Sequence, residues 1–146
     1  MIGLEWLETG ISAFAGGIAG ALVSFLVTRY HIGQLNLASS VDRACRYIYE
    51  LEERGIRYWS KSHSNEEAIM IKSLLKRVAA DLSVLLEHEW IIHYEVEDKI
   101  IELRRSITDG NFEVADRPDD PGRTDRISTA ANSLCTALRR SAKMAR

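Results

Sequence analysis

Residues 11–28 read ISAFAGGIAGALVSFLVT, eighteen positions without a charge, in a chain of 146 residues of which 27% are charged. Three structures suit such a stretch: a buried core helix, a cleavable export signal, or a membrane anchor. An export signal places positive charge before its apolar run. The leader here, MIGLEWLETG, carries Glu5 and Glu8 and no Lys or Arg. A soluble amphipathic helix needs a polar face, and Ile11 to Val27 supplies only Ser12 and Ser24. The membrane reading gains from the flanks. At about 1.5 Å per residue, a helix from Trp6 to Tyr30 covers roughly 36 Å, placing one aromatic near each interface of a hydrocarbon layer about 30 Å thick. The expectation is therefore a transmembrane segment within residues 1–30, with burial inside a partner or oligomer as its rival.

Flanking charge sets an orientation. Glu5 and Glu8 precede the span, while Arg29, Arg43 and Arg46 follow it. Positive-inside bias then puts the short N-terminus outside and the C-terminal domain in the cytoplasm. Cys45 and Cys135 agree with that side, since two distant cysteines on apolar-periodic segments read as reduced, packed thiols and not as a disulfide framework.

The span is rich in small residues. Gly16, Gly20 and Ser24 recur at intervals of four; Ala13, Gly17 and Ala21 form a neighbouring stripe. Small residues at that spacing let helix backbones approach closely, the packing of associating membrane helices. They also lower the hydrophobicity of the segment, which makes conditional insertion reasonable.

Beyond Tyr30 the pattern is helical throughout, giving an all-α class: one transmembrane helix followed by a three- to four-helix cytosolic bundle over residues 31–146. Leu37, Val41, Ala44, Ile48, Leu51 and Gly55 make the first stripe, over about residues 35–58. Gly33 offers the one break before it; without that break the helix is continuous with the span. Ser64-Asn65-Glu66-Glu67 is a capping box, in which Ser64 accepts a first-turn N–H and Glu67 reaches back. The helix it opens carries Ala68, Ile71, Leu75, Val78, Leu82 and Leu85, with Leu74, Ala79 and Leu86 widening the stripe. Val96, Ile100, Leu103 and Ile107 form a third stripe, closed by Gly110. A loop at about 109–124 follows, with Phe112 and Val114 expected to dock its first half. Thr124 or Asp125 then caps a last helix bearing Ile127, Ala131, Leu134 and Leu138.

Candidate chemistry is sparse. His88 and His93 lie five apart, which does not place them on one helix face as a zinc pair requires. No phosphate loop or nucleophile elbow appears, and the adjacent acids Asp119 and Asp120 read as a solvated turn. The expectation is a non-enzyme with no cofactor, no metal and no small-molecule substrate. Arg139, Arg140, Lys143 and Arg146 form a basic tail suited to phosphates of lipid or nucleic acid, or simply to the helix dipole. Arg43, Arg46, Arg54 and Arg57 make a second basic face, interleaved with Glu50, Glu52 and Glu53. The net charge of -2 gives no global attraction to nucleic acid.

The architecture of a lone N-terminal span with a small helical domain resembles the short membrane effectors of bacterial anti-phage systems, including some retron effectors. The segment RRSITDGNFEVADRP, and Ile107 to Arg117 within it, is similar to a stretch found in small bacterial and prophage membrane proteins. The resemblance implies an effector that self-associates in the inner membrane and is held in check by a regulatory complex. Nucleic acid would reach it through a partner. The rival function is a tethered adaptor whose helical domain recruits a cytosolic protein or nucleoprotein.

Overall fold

A computed structural model describes the backbone of residues 5–87, 93–118 and 120–144; side chains at 5–23, 29–32, 34, 35, 93 and 94 lie outside the description. Among the described residues there are four α-helices and no strand: α1 (Glu5–Trp59), α2 (Asn65–Leu86), α3 (His93–Thr108) and α4 (Pro121–Met144). The chain divides into two units, residues 1–36 and 37–146.

The second unit owns the core. All six positions of the first stripe, Leu37, Val41, Ala44, Ile48, Leu51 and Gly55, are buried, joined by Cys45, Tyr58 and Trp59. Gly55 is an interior helical glycine with a steric reason: a Cβ there would lie 3.3 Å from Ile107 Cγ1 and 3.5 Å from Ile127 Cδ1. It lets α1 approach side chains of both α3 and α4. From α2 come Ala68, Ile71, Leu74, Val78, Leu82 and Leu85; from α3, Val96, Leu103 and Ile107; from α4, Ile127, Ala130, Ala131, Leu134, Cys135 and Leu138.

Several expectations are narrowed or corrected. Gly33 does not break the helix: α1 runs through it, and nothing would crowd a Cβ at that position. Leu74, not Leu75, is the buried member of the α2 stripe, and Leu75 is only partly covered. Ser64 does cap α2, accepting the Glu67 N–H at 3.3 Å, but the Glu67 carboxylate does not reach back; it meets Arg54 Nη1 at 3.4 Å. The last helix starts at Pro121, ahead of Thr124 and Asp125, because Asp120 is its cap, with Oδ1 accepting the Arg123 N–H at 3.1 Å. Proline at the first helical position has φ preset and no N–H to satisfy, so Asp-Pro starts a helix efficiently. The loop is therefore 109–120, and Asp120 is a cap and ion-pair partner where a solvated turn was expected; Asp119 lies outside the described residues. Within the loop, Phe112 packs on the core as expected, whereas Val114 is exposed. Gly110 has φ +71°, the left-handed conformation that ends helices cheaply at glycine.

Candidate functional site

The packing stripe falls mostly on undescribed positions: the side chains of Ala13 and Ala21, and the surroundings of Gly16, Gly17 and Gly20, lie outside the described residues. Ser24 is described and exposed. Beside it Phe25, Leu26 and Val27 are 60%, 62% and 49% exposed. Three consecutive large apolar side chains lie bare on that stretch of α1, which is uncommon for a helix facing water. Among the described residues no helix is long and apolar enough to cross a membrane. Most of the span expected at 11–28 falls outside that set.

The basic tail is more occupied than its sequence implies. Arg139 reaches the Tyr49 hydroxyl at 3.4 Å, with its guanidinium 5.9 Å from the ring centre. Arg140 pairs with Glu95 at 3.4 Å. Lys143 stands exposed in the last turn of α4, and Arg146 lies outside the described residues. The second basic face is also compensated: Arg43 pairs with Asp81, Arg54 with Glu50 and Glu67, and Arg57 with Glu53. Each exposed pair contributes little stability, about 0–1 kcal/mol. Together they lower the positive potential a phosphate ligand would meet.

Two of the concave features of the second unit bear on a candidate site. One, of about 630 Å³, lies between α3 and α4, where Asp98, Glu102, Asp109 and Asp125 face Arg105, Arg123 and Arg126. Its charges offset one another. The other, of about 520 Å³, lies between α2 and α3 over Leu134 of α4. Leu75, Val78, Ala79, Ile100, Leu103 and Phe112 supply its apolar lining, and Lys72, Lys76 and Arg104 its cations. Lys72 is paired with Glu113 at its end of the groove. Lys76 and Arg104 make no ion pair among the described residues.

The 109–120 loop is clasped to the end of α1. Tyr58 O–H lies 2.8 Å from His63 Nδ1 and accepts the Glu113 N–H at 3.1 Å. The Arg117 guanidinium donates to the Tyr58 and Lys61 carbonyls and covers the Tyr58 ring at 3.9 Å. Arg123 covers the Trp59 ring at 3.9 Å and donates to the Asp109 carbonyl at 2.6 Å. Trp59 Nε1–H donates to the Ile107 carbonyl at 2.9 Å. This clasp was invisible to periodicity; its only sequence signal is the aromatic pair Tyr58-Trp59 at a helix end.

Reaction chemistry gains no new support. His63 belongs to the clasp. The side chain of His93, and His88 entirely, lie outside the description. Among the described residues no group of three or more His, Cys, Asp or Glu is placed to hold a metal. Cys45 and Cys135 are free and buried as expected, with Cys135 Sγ 4.0 Å from the Cys45 carbonyl. The Cys45 sulfur beside it, together with burial, pushes the Cys135 thiol up.

The chain matches no protein-family model, no curated protein and no solved structure.

Proposed function

We propose that the chain is a non-enzymatic, single-pass inner-membrane effector that self-associates through its span and is restrained by partners bound to its helical domain. The observation that carries this reading is the exposed run Phe25, Leu26 and Val27 within an uncharged stretch of α1. Burying such side chains is favourable by about 25 cal/mol per Å² of apolar surface, and lipid or an apposed helix provides that burial. Ala13, Gly16, Gly17, Gly20, Ala21 and Ser24 supply the small-residue spacing that close helix approach needs. The bacterial anti-phage role rests on the resemblance of the architecture to short membrane effectors, beside the similarity of Ile107 to Arg117 to a stretch of small bacterial or prophage membrane proteins. The adaptor reading is favoured by one observation, the groove with unpaired cations in the second unit.

One experiment separates the two. Residues 1–30 are replaced by an unrelated transmembrane segment, and growth inhibition and membrane depolarisation are measured in cells, beside Gly16→Leu/Gly20→Leu at matched expression. An effector loses both effects in the chimera and in the double variant. An adaptor keeps its activity in both. Recovery of the native chain only in soluble fractions, with and without its partners, overturns the membrane reading altogether.

A further inference from the structure

We propose that the groove between α2 and α3 receives an amphipathic helix of a protein partner, with an apolar stripe flanked by carboxylates. This deepens the reading that a regulator docks on the helical domain, and rests on it only for the role of that partner.

The register of the groove carries the argument. The Lys72–Glu113 pair fixes which ends of the helices adjoin: the Lys72 end of α2 lies by the loop that leaves α3 at Thr108. Ala79 therefore lies toward Ile100, and Lys76 and Arg104 stand at mid-length on opposite rims. From Lys72 to Ala79 the floor runs roughly 10 Å at 1.5 Å per residue. That is the rise between positions i and i+7 of a helix, so an occupant laid lengthwise seats side chains at i, i+3 or i+4, and i+7.

The charges then select among occupants. Lys72 is already neutralised by Glu113, whereas Lys76 and Arg104 have no ion-pair partner among the described residues. Apolar lining continues on both sides of them, Val78, Ala79 and Ile100 one way, Leu75 and Phe112 the other. A single anionic headgroup held between them would rest over the middle of an apolar floor. A helix lying along the groove instead puts its apolar stripe on the floor and a carboxylate toward each rim. Such complementarity governs partner choice and association rate more than raw affinity.

The test uses the full chain in mild detergent and two fluorescein-labelled synthetic peptides. Both carry leucines at i, i+3, i+4 and i+7; one flanks them with glutamates, the other with lysines. Anisotropy should show binding of the glutamate peptide, weakened about tenfold or more in Lys76→Glu/Arg104→Glu, where each attractive pair becomes a repulsive one. The lysine peptide should gain affinity for that variant. Circular dichroism of the variant should match the parent, since both residues are exposed. Equal binding of both peptides, or an unchanged glutamate-peptide affinity in the double variant, overturns the proposal. So does stoichiometric displacement of the peptide by phosphatidylglycerol, which would assign the two cations to lipid. Membrane fractionation of the double variant reports separately on the span, so a failed groove and a failed membrane reading give different results.

Discussion

Replacing Trp59 should unfasten the loop and the end of α3 together. The indole is buried and does three things at once. It fills core volume, it lies under the Arg123 guanidinium at 3.9 Å, and it donates to the Ile107 carbonyl at 2.9 Å. That carbonyl belongs to the last turn of α3, which ends at Thr108, so no residue of the helix itself can serve it. Trp59→Phe keeps a ring and removes the N–H. Leaving a buried acceptor unpaired costs about 1–3 kcal/mol, a weaker cation–π contact about 0.5–1 kcal/mol, and the lost ring volume about 1 kcal/mol. The sum centres on about 4 kcal/mol, a large fraction of an ordinary domain's stability. Trp59→Ala adds a cavity, and large-to-small changes of that kind alone cost about 3–5 kcal/mol. Urea unfolding followed by circular dichroism is the assay. With a slope of about 1–3 kcal/mol per M, Trp59→Phe should lower the midpoint by roughly 1–4 M at an unchanged slope. Amide exchange should accelerate at Ile107 to Phe112. A Trp59→Phe midpoint within about 0.2 M of the parent would refute the capping role assigned to the indole.

Asp120→Ala removes the cap of α4 and the ion pairs to Arg123 and Arg126; thermal melting should show a loss of about 1–2 kcal/mol. The neighbouring sulfur pushes the Cys135 thiol up and lowers the Cys45 thiol, so the pair keeps one proton in the fold that the unfolded chain releases above about pH 8.5. Stability should therefore fall above that pH by at most about 1.4 kcal/mol per pH unit, and Cys135→Ala, followed by urea unfolding from pH 7 to 10, should flatten that decline. Deleting residues 1–36 should leave a cooperative urea transition, since every buried hydrophobic residue among the described ones lies at Leu37 or beyond.

The helical class and most of the core were legible because periodicity reports burial directly. Leu37, Val41, Ala44, Ile48, Leu51 and Gly55 are buried where their spacing of four and three places them. The choice between Leu74 and Leu75 was not legible, because the two differ by about 100° of rotation on one helix, and both fit an apolar stripe. Packing decides it: Leu75 lines the groove while Leu74 enters the core. The start of α4 was misplaced for a different reason. Asp120, Thr124 and Asp125 are all competent caps, and the proline after Asp120 breaks the tie. The clasp joins Arg117 to Tyr58, and Arg139 reaches back to Tyr49 from the far end of the chain. No local pattern records such contacts. Of the expected site, the groove was missed altogether, because Lys76 and Arg104 read as ordinary solvated charges until the apolar floor between them is seen.

The second unit contains a core with side chains from all four helices, and among the described residues every buried hydrophobic side chain lies at Leu37 or beyond. Exposed apolar surface favours aggregation, so apolar side chains outside a core call for something that covers them. Yet residues 11–28 hold an uncharged run, and its described part exposes Phe25, Leu26 and Val27. A second solvent or a second surface would cover those side chains, and the small-residue spacing at Gly16, Gly20 and Ser24 goes beyond what a simple lipid anchor needs, for which leucine and valine suffice. Close helix–helix approach would account for both the apolar run and the glycines, which is why the proposed effector reading is preferred to a passive tether.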